Sequence, residues 1–463
     1  MLNKIIDLSL RYKMLVIVLF IFLSFMGYKS YINIPIDAFP DITPKQVVIY
    51  TESSGNSAED IEKLITYPIE SVVSGMAGVK VIMSNSIFGL SYVSIFFEDS
   101  YDLNFLRQLV TERLSTVDIP DGWGKPQLGP NTTGLGQVFW YEIAKDNNSS
   151  KSLQEIRELQ EYMVKPMFKS VSGVEEVISW GGQERQYEII LDTKRLQNIS
   201  ITYNEIVDAV RRSNISIGGQ YLEFNREQYQ IRGAGRYKTI DDISNTVIKS
   251  HNGRAITISD IADVKIGNSP RFGAVSIDGE ESVIGMVLQR TGTNADAVVK
   301  SLKEKMKLVN ATLPKDVKIN IIYDRTTMTT KAIDTISSAL LSGVILVAIV
   351  LFLFLFELRS AFIVILSLPL SLLIAFGLME YYHLTANLMS LSGLAIAVGM
   401  IVDGTIVMVE NAFRNLHEHP KSNKLEIIRT SSKEVAVPIT FAILIISAVF
   451  IPLLTLDGLA GKL

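Results

Sequence analysis

Asp403 is a carboxylate in an apolar stretch, and this position makes it a candidate for proton transfer. It lies in an otherwise uncharged stretch from Leu388 to Val409, which is about the length that a helix needs to cross the hydrocarbon core of a membrane. A carboxylate in the inner part of such a helix costs roughly 2.5–3.5 kcal/mol on insertion scales, so a chain that keeps one has a use for it, most commonly in a proton relay. The structural alternative is a carboxylate buried against another helix.

Glu410 follows Asp403 on the same predicted helix. The two residues are seven positions apart and therefore lie on one helical face. Two interpretations of Glu410 stay open. It is either the inner end of a proton path or an interfacial carboxylate beside Asn411 and Arg414.

Three methionines lie on this stretch, at Met389, Met400 and Met408. Thioethers are soft ligands that suit monovalent copper and silver. Methionine is also a routine filler of apolar helix faces, and the residues alone favour that second interpretation. His417 and His419 form a His-x-His pair in the loop that follows, where solvated loop residues are expected.

Five apolar stretches, including the one with Asp403, are predicted to span a membrane. The other four are Met14 to Tyr28, Ile336 to Phe356, Ala361 to Met379 and Val435 to Leu456. A long block of soluble composition, from Asn33 to Thr335, separates the first two. The sequence thus predicts an α-helical membrane protein with one large block outside the membrane.

The positive residues orient these spans. Lys4, Arg11 and Lys13 precede the first span, so the positive-inside rule places the N-terminus in the cytoplasm and the long block outside it. A basic head before a short apolar run also describes a signal peptide. However, Met26 to Ser30 offers no small-x-small cleavage site, which favours an uncleaved span.

Composition excludes several classes of protein. The net charge of −4 and the lack of a basic cluster argue against nucleic-acid binding. The sequence has no cysteine, so it has no disulfide framework and no thiolate metal site. No Gly-Lys-Ser/Thr follows the Gly181-Gly182 or Gly218-Gly219 pairs, so ATP is not the implied energy source. We expect no cofactor and no enzymatic reaction.

The long block contains an internal repeat. Gly78 to Ser84 resembles Gly173 to Ser179, and each copy follows an amphipathic helical pattern that carries a proline, Pro68 or Pro166. Alternating strand patterns come next, at Ser91 to Phe97 and Gln186 to Leu191. The order of helices and strands predicts two α+β modules of the ferredoxin-like, split β-α-β type.

A further region looks inserted into the second module, whose last elements are expected at Ser276 to Gln289 and Ala295 to Asn310. The predicted division of the chain has five parts: an N-terminus with the first span at 1–32, a first module at 33–130, a second module at 131–180 and 272–335, an inserted docking module at 181–271, and spans two to five at 336–463.

Several motifs carry a resemblance to a known family. These are the run Ile34 to Ile42 after the first span, Tyr67-Pro68-Ile69-Glu70 followed by Ser84-Asn85-Ser86, and the run Val402 to Asn411. Together with the order of spans and modules, they resemble the N-terminal half of a heavy-metal efflux pump of the resistance-nodulation-division superfamily. The match runs over essentially the whole chain.

The resemblance implies a secondary active transporter, a proton antiporter of the bacterial inner membrane, whose modules form a periplasmic porter region. It implies a homotrimer that works with a periplasmic adaptor and an outer-membrane channel. Asp403 matches the family's proton-relay position, and the region of Gly218 matches a hairpin that docks into a neighbouring subunit. The counter-charge of Asp403, the sixth span and the second half are expected outside these residues.

The resemblance leaves the metal open. Met389 to Gly399 follows the pattern of the copper and silver branch, and this makes Met389 and Met408 candidate stepping sites for a soft ion; Met400 has no matching position. Ala397-Val398-Gly399 stands where pumps for zinc, cobalt, cadmium or nickel usually have an extra Asp-Phe-Gly. In contrast, Gly404 follows Asp403, as in the branch that exports divalent metals. The balance favours copper or silver.

Two other functions compete with metal export. An inactive half of a pump with a structural or partner-binding role would need no proton site. A multidrug pump of the same superfamily typically has two adjacent Asp residues on this helix, whereas Val402 precedes Asp403 here.

Overall fold

The computed structural model describes residues 2–34, 37, 40, 42–146, 149–199, 201–251, 253–271, 273–355, 358–382, 384–456 and 461. Some expectations fall on other residues. Most of the run from 35 to 41, Glu357 and the segment from 457 onwards except Gly461 lie outside the described residues.

The chain begins with two helices, α1 (Leu2–Arg11) and α2 (Lys13–Asn33). On α1, Asp7 forms ion pairs with Arg429 at 2.5 Å and with Lys433 at 2.6 Å. Hydrogen bonds from these two cations hold the pKa of Asp7 well below its usual range. The short first helix is therefore fixed to a helix near the end of the chain.

The first sheet follows these helices. Its elements are β1 (Gln46–Glu52), α3 (Ala58–Ile61), a π-helical turn (Glu62–Thr66), α4 (Tyr67–Val73), β2 (Val79–Ile87), β3 (Leu90–Phe97), α5 (Leu103–Leu114) and β4 (Gln127–Leu128). The strand order is β2-β3-β1-β4, and every pair is antiparallel. The alternating strand residues Val47, Ile49, Val93 and Ile95 pack against the helices in one buried core.

The rest of the block contains β5 (Gln137–Lys145), α6 (Leu153–Leu159), a π-helical turn (Gln160–Val164), α7 (Lys165–Lys169), β6 (Val174–Gly181), β7 (Arg185–Leu191), α8 (Thr193–Ile199), α9 (Tyr203–Ser213), β8 (Ser216–Phe224), β9 (Glu227–Ala234), α10 (Ile240–Ser244), β10 (Val247–His251), β11 (Arg254–Thr257), α11 (Ile258–Ile261), β12 (Ala262–Asn268), β13 (Ser276–Ile277), β14 (Glu280–Glu281), β15 (Val283–Gln289), α12 (Ala295–Thr312) and β16 (Val317–Asp324).

The second sheet has the order β16-β5-β15-β6, again with antiparallel pairs. In both sheets the first strand lies between the third and the fourth, and a helix follows the first and the third strand. This is the arrangement of a split β-α-β unit. In the second sheet the chain between β6 and β15 forms a separate cluster with its own buried core.

Two strands depart from the simplest form of the repeat. The strand pattern at Gln186 to Leu191 forms β7, which pairs with β12 instead of lying beside β6, where β15 lies. The expected strand from Ser276 to Gln289 is interrupted by a turn at Asp278 and Gly279, whose φ angles are 53° and 88°. Positive φ at both residues is typical of the tight hairpin turn that joins β13 to β14.

The two prolines of the repeat explain a shared irregularity. Each π-helical turn ends just before a proline, Pro68 or Pro166, and has an i to i+5 bond, from the Tyr67 N–H to the Glu62 carbonyl or from the Lys165 N–H to the Gln160 carbonyl. A proline donates no backbone hydrogen bond, so the carbonyl four residues earlier loses its α-helical partner. The wider turn is one way to absorb that loss.

In the described part of the chain, four long helices follow β16, namely α13 (Arg325–Leu355), α14 (Leu358–Tyr381), α15 (Leu388–Glu418) and α16 (Lys424–Phe450), and a 3₁₀ turn follows at Ile451–Thr455. Within the described residues, three helices are long and apolar enough to cross a membrane: Lys13–Asn33, Phe362–Tyr381 and Lys424–Leu453. The spans expected at Ile336 to Phe356 and Leu388 to Val409 fall on α13 and α15 and stay predictions.

Candidate functional site

Helix α15 carries Asp403, and its start is fixed by a cap. The Asn387 side chain accepts hydrogen bonds from the N–H groups of Met389 at 3.0 Å and Ser390 at 2.9 Å, while the Asn387 N–H donates to the Ser390 hydroxyl at 2.9 Å. Asn387 is itself 7% exposed. From this cap the helix runs without a break to Glu418.

Asp403 lies on an open side of α15. The next residue, Gly404, faces α16, because a Cβ atom there would lie 3.0 Å from Cγ2 of Ile439. Asp403 is exposed, and among the described residues it has no hydrogen-bond or ion-pair partner. The described helices therefore do not bury this carboxylate.

A polar cluster joins α15 to α16 about two to three turns further on. The buried Asn411 side chain donates to the Ser431 carbonyl at 3.0 Å and to Oε2 of Glu434 at 3.1 Å, and it accepts a hydrogen bond from Arg414 at 2.9 Å. Glu410 itself is exposed. The polar contacts expected around Glu410 are thus made by its neighbour.

Sequence reasoning missed Glu434. The fifth span was drawn from Val435, one residue later, whereas α16 begins at Lys424. One signal for Glu434 was present in the sequence, since it is an acidic residue directly before an apolar stretch. Its contact with Asn411 on the neighbouring helix is seen only in the structure.

The methionines divide between two sides of α15. At about 100° per residue, Met389 and Met400 lie within about 60° of Asp403 around the helix axis, whereas Met408 lies about 140° away. Met389 is exposed, and Met400 and Met408 are half-buried. Met389 and Asp403 are about 21 Å apart along the axis, so one ion cannot contact both. In the described part of the chain, no three His, Cys, Asp or Glu side chains converge as a metal site.

A model of the AcrB/AcrD/AcrF family matches residues 5–463. The chain belongs to this family. Among its relatives, the cation efflux system protein CusA of Escherichia coli is 38% identical over 476 residues, and the cobalt-zinc-cadmium resistance protein CzcA of Cupriavidus metallidurans is 37% identical over 479 residues. Each alignment covers 100% of this chain and 45% of the relative.

A solved structure shares the fold of this chain. The crystal structure of a heavy-metal efflux pump matches with a TM-score of 0.89 and 31% identity, over 99% of this chain and 45% of that one. The family predicted from the motifs is confirmed, and the chain spans about half the length of the curated relatives it matches. The near-equal identities to CusA and CzcA do not distinguish between metals.

Proposed function

We propose that this family member is the N-terminal half of a proton-driven exporter of heavy-metal cations in the bacterial inner membrane. The observation that carries the proposal is Asp403: a single carboxylate in an uncharged stretch of α15, exposed and without a partner among the described residues. A group in that position can exchange a proton and can face a counter-charge on another part of the transporter.

The proton is the switch in this proposal. Ionised Asp403 attracts a positive side chain on a neighbouring helix, whereas protonated Asp403 does not. Each proton that binds or leaves therefore changes the force between α15 and that helix. A cycle of binding on one side of the membrane and release on the other would move α15 and, through it, the two sheets of the porter region.

The metal is proposed to be monovalent copper or silver. Met389 and Met408 are the proposed stepping sites for a soft ion. Met389 lies on the Asp403 side of α15, about 21 Å from Asp403 along the axis, and Met408 lies on another side. Gly404, the residue that resembles the divalent branch, has a packing reason of its own: a Cβ atom there would lie 3.0 Å from Ile439. The glycine at position 404 is therefore weaker evidence against a copper or silver pump. Export of zinc, cobalt, cadmium or nickel is the alternative.

The proposed assembly is a homotrimer with a periplasmic adaptor and an outer-membrane channel. Its support in this chain is the hairpin β8–β9, every residue of which is exposed. Large apolar side chains lie along it, namely Ile217, Tyr221, Leu222, Phe224, Tyr229 and Ile231. We propose that a second copy of the chain covers this hairpin.

The decisive experiment tests the substitution Asp403→Asn in the protein encoded by the full open reading frame that contains these residues. The variant is expressed in bacteria that lack their own metal exporters, and their metal tolerance is measured. We expect tolerance of copper and silver to fall to the level of cells without the pump, with unchanged abundance in the membrane. Glu380→Gln, an exposed acid at the far end of α14, is the matched control and should keep tolerance.

Other outcomes separate the alternatives. Full tolerance in Asp403→Asn would contradict the proton role. Tolerance of zinc or cobalt alone would assign the divalent branch, and drug resistance without metal tolerance would assign a multidrug pump. No tolerance with the unaltered protein would favour the structural or partner-binding role.

A further inference from the structure

Asp37 contacts the start of the helix that carries Asp403. Its backbone N–H donates a hydrogen bond to the Ala386 carbonyl at 3.0 Å, and Ala386 immediately precedes the Asn387 cap of α15. Ile34, three residues before Asp37, packs in a buried cluster with Ala386 and Leu391. Ile34 and Asp37 therefore hold the N-terminal end of α15.

The Asp37 carboxylate contacts a second helix. It accepts a hydrogen bond from Arg325 at 2.8 Å in an ion pair that spans 288 residues of sequence. Arg325 is the first residue of α13, and only 10% of its side chain is exposed. Its other terminal nitrogen donates to the Leu135 carbonyl, two residues before β5. Arg325 thus joins Asp37 to the second sheet.

The start of α13 is fixed to that sheet by a second group of contacts. One oxygen of Asp324, the last residue of β16, accepts hydrogen bonds from the Thr326 N–H at 2.9 Å and from the Thr326 hydroxyl at 2.7 Å. The other oxygen forms an ion pair with Lys303 of α12. The N-terminal end of α13, the last strand of the sheet and α12 are therefore linked to one another.

From these contacts we propose that Asp37 is a positioning residue for transport, which links the N-terminal end of α15 to the second sheet through Arg325. The inference rests on the proposed function. Movement of α15 that follows a change at Asp403 reaches Asp37 through the Ala386 carbonyl. Asp37 passes it to Arg325 and so to β5 and α12.

The nature of the ion pair gives the link its rigidity. The Arg325 guanidinium is nearly buried, so the loss of its carboxylate leaves a charge with few polar contacts. The pair therefore favours one relative position of the two helix starts. Without the Asp37 side chain, α15 can move without drawing the sheet with it.

The test uses the whole coding frame, purified and placed in proteoliposomes, with copper(I) transport driven by an imposed pH gradient. We expect Asp37→Ala to lower kcat at least tenfold while KM for copper stays within twofold of the unaltered value. Asp37→Asn, which keeps the shape of the side chain, should lose less. The double change Asp37→Ala with Arg325→Ala should be no slower than the slower single variant, because both remove one link.

A matched control is Glu281→Ala, which removes an exposed Arg–carboxylate pair of similar length, 2.7 Å between Arg271 and Glu281. It should leave kcat unchanged. An unchanged kcat in Asp37→Ala, a proportional rise of KM, or additive losses in the double variant would overturn the proposal.

A second measurement does not depend on transport. In metal-free protein, backbone hydrogen exchange of residues 388–391 should become faster in Asp37→Asn and Asp37→Ala but not in Glu281→Ala. Equal exchange in all variants would overturn the link even if transport fell. If the unaltered protein moves no metal, the proposed function fails, and hydrogen exchange still decides whether Asp37 holds α15.

Discussion

Asp296 is a half-buried carboxylate in the first turn of α12, close to charges of both signs. Burial raises the pKa of Asp296, and the negative charges of Asp37 and Asp324 raise it further. Arg325 and Lys303 act in the opposite direction with less effect than burial. One oxygen of Asp296 is buried with no hydrogen-bond partner among the described residues. The ionised form of Asp296 is therefore less stable, relative to the protonated form, in the folded protein than in water.

This environment predicts the effect of Asp296→Asn on stability. A raised pKa means that the folded state disfavours the ionised form, so folding loses stability as pH rises through the folded pKa. The asparagine variant is neutral at every pH. We expect its thermal unfolding midpoint to exceed that of the unaltered protein at pH 7 and the two midpoints to converge as pH falls toward the ordinary pKa of Asp, about 3.9. A lower midpoint for Asp296→Asn at pH 7 would contradict the prediction.

Individual site residues differ in how far sequence could find them. Asp403 was found because one charge in an apolar stretch is visible without a fold. The pairs Asp37–Arg325 and Asn411–Glu434 were missed, because their members are 288 and 23 residues apart and neither spacing has a helical or strand period. Such contacts depend on which elements become neighbours, which only the packed structure shows.

At the scale of elements, the helices and the repeat were largely predictable from periodicity, but strand pairing was not. The alternating pattern at Gln186 to Leu191 predicts a strand but does not indicate which strand pairs with it. Its pairing with β12 is possible because the inserted region returns the chain antiparallel to it. Likewise, Pro68 and Pro166 are visible in the helical patterns, whereas the π-helical turns that precede them are seen only in the structure.

A close approach between α2 and α14 also belongs to the scale of elements. Gly27 of α2 lies against the backbone of α14, so that a Cβ atom would be 2.0 Å from the Leu373 carbonyl oxygen. Gly27→Ala would force the helices apart, and overpacking of this kind typically costs about 1–3 kcal/mol. We expect a lower thermal unfolding midpoint in detergent and lower abundance in the membrane.

Gly393→Ala is the matched control, since a Cβ atom at Gly393 meets nothing within 4 Å. Alanine there removes the conformational freedom of glycine from a helix interior, which favours the helix by up to about 1 kcal/mol. Its midpoint should stay equal or rise. If Gly27→Ala behaves like this control, the close packing of α2 on α14 is wrong.

At the scale of the whole molecule, the hairpin β8–β9 leaves a large apolar surface uncovered. Asn225 and Arg226 form its turn, with φ angles of 53° and 67°. An isolated two-stranded hairpin is marginally stable in water, so a partner that covers it contributes to its stability. The proposed partner is a neighbouring copy of the chain.

That proposal predicts the effect of a change at the tip. Leu222 and Phe224 are 60% and 67% exposed, and the double change Leu222→Ser with Phe224→Ser should lower the trimer fraction of the whole transporter several-fold in analytical ultracentrifugation. The internal fold should be unaffected, because neither side chain packs in a core. Tyr203→Ser, at a residue that is 68% exposed outside the hairpin, serves as the control. A trimer fraction that is the same in both variants would exclude the hairpin as the contact.

The ion pairs of α1 have a consequence for the order in which the protein is made. Asp7 and Arg429 are 422 residues apart in sequence, so at ribosomal rates of ~5–20 residues per second α1 is complete about 20–80 s before its partner is synthesised. During that time Ile5, Leu8 and Tyr12, which are exposed even in the folded chain, need another apolar contact. If α2 spans the membrane as proposed, the membrane surface beside α2 would supply that contact, because amphipathic helices with basic residues bind there. In the proposed inner-membrane transporter, the nascent chain would therefore have a lipid-bound stage, which would end when α16 emerges and Arg429 and Lys433 reach Asp7.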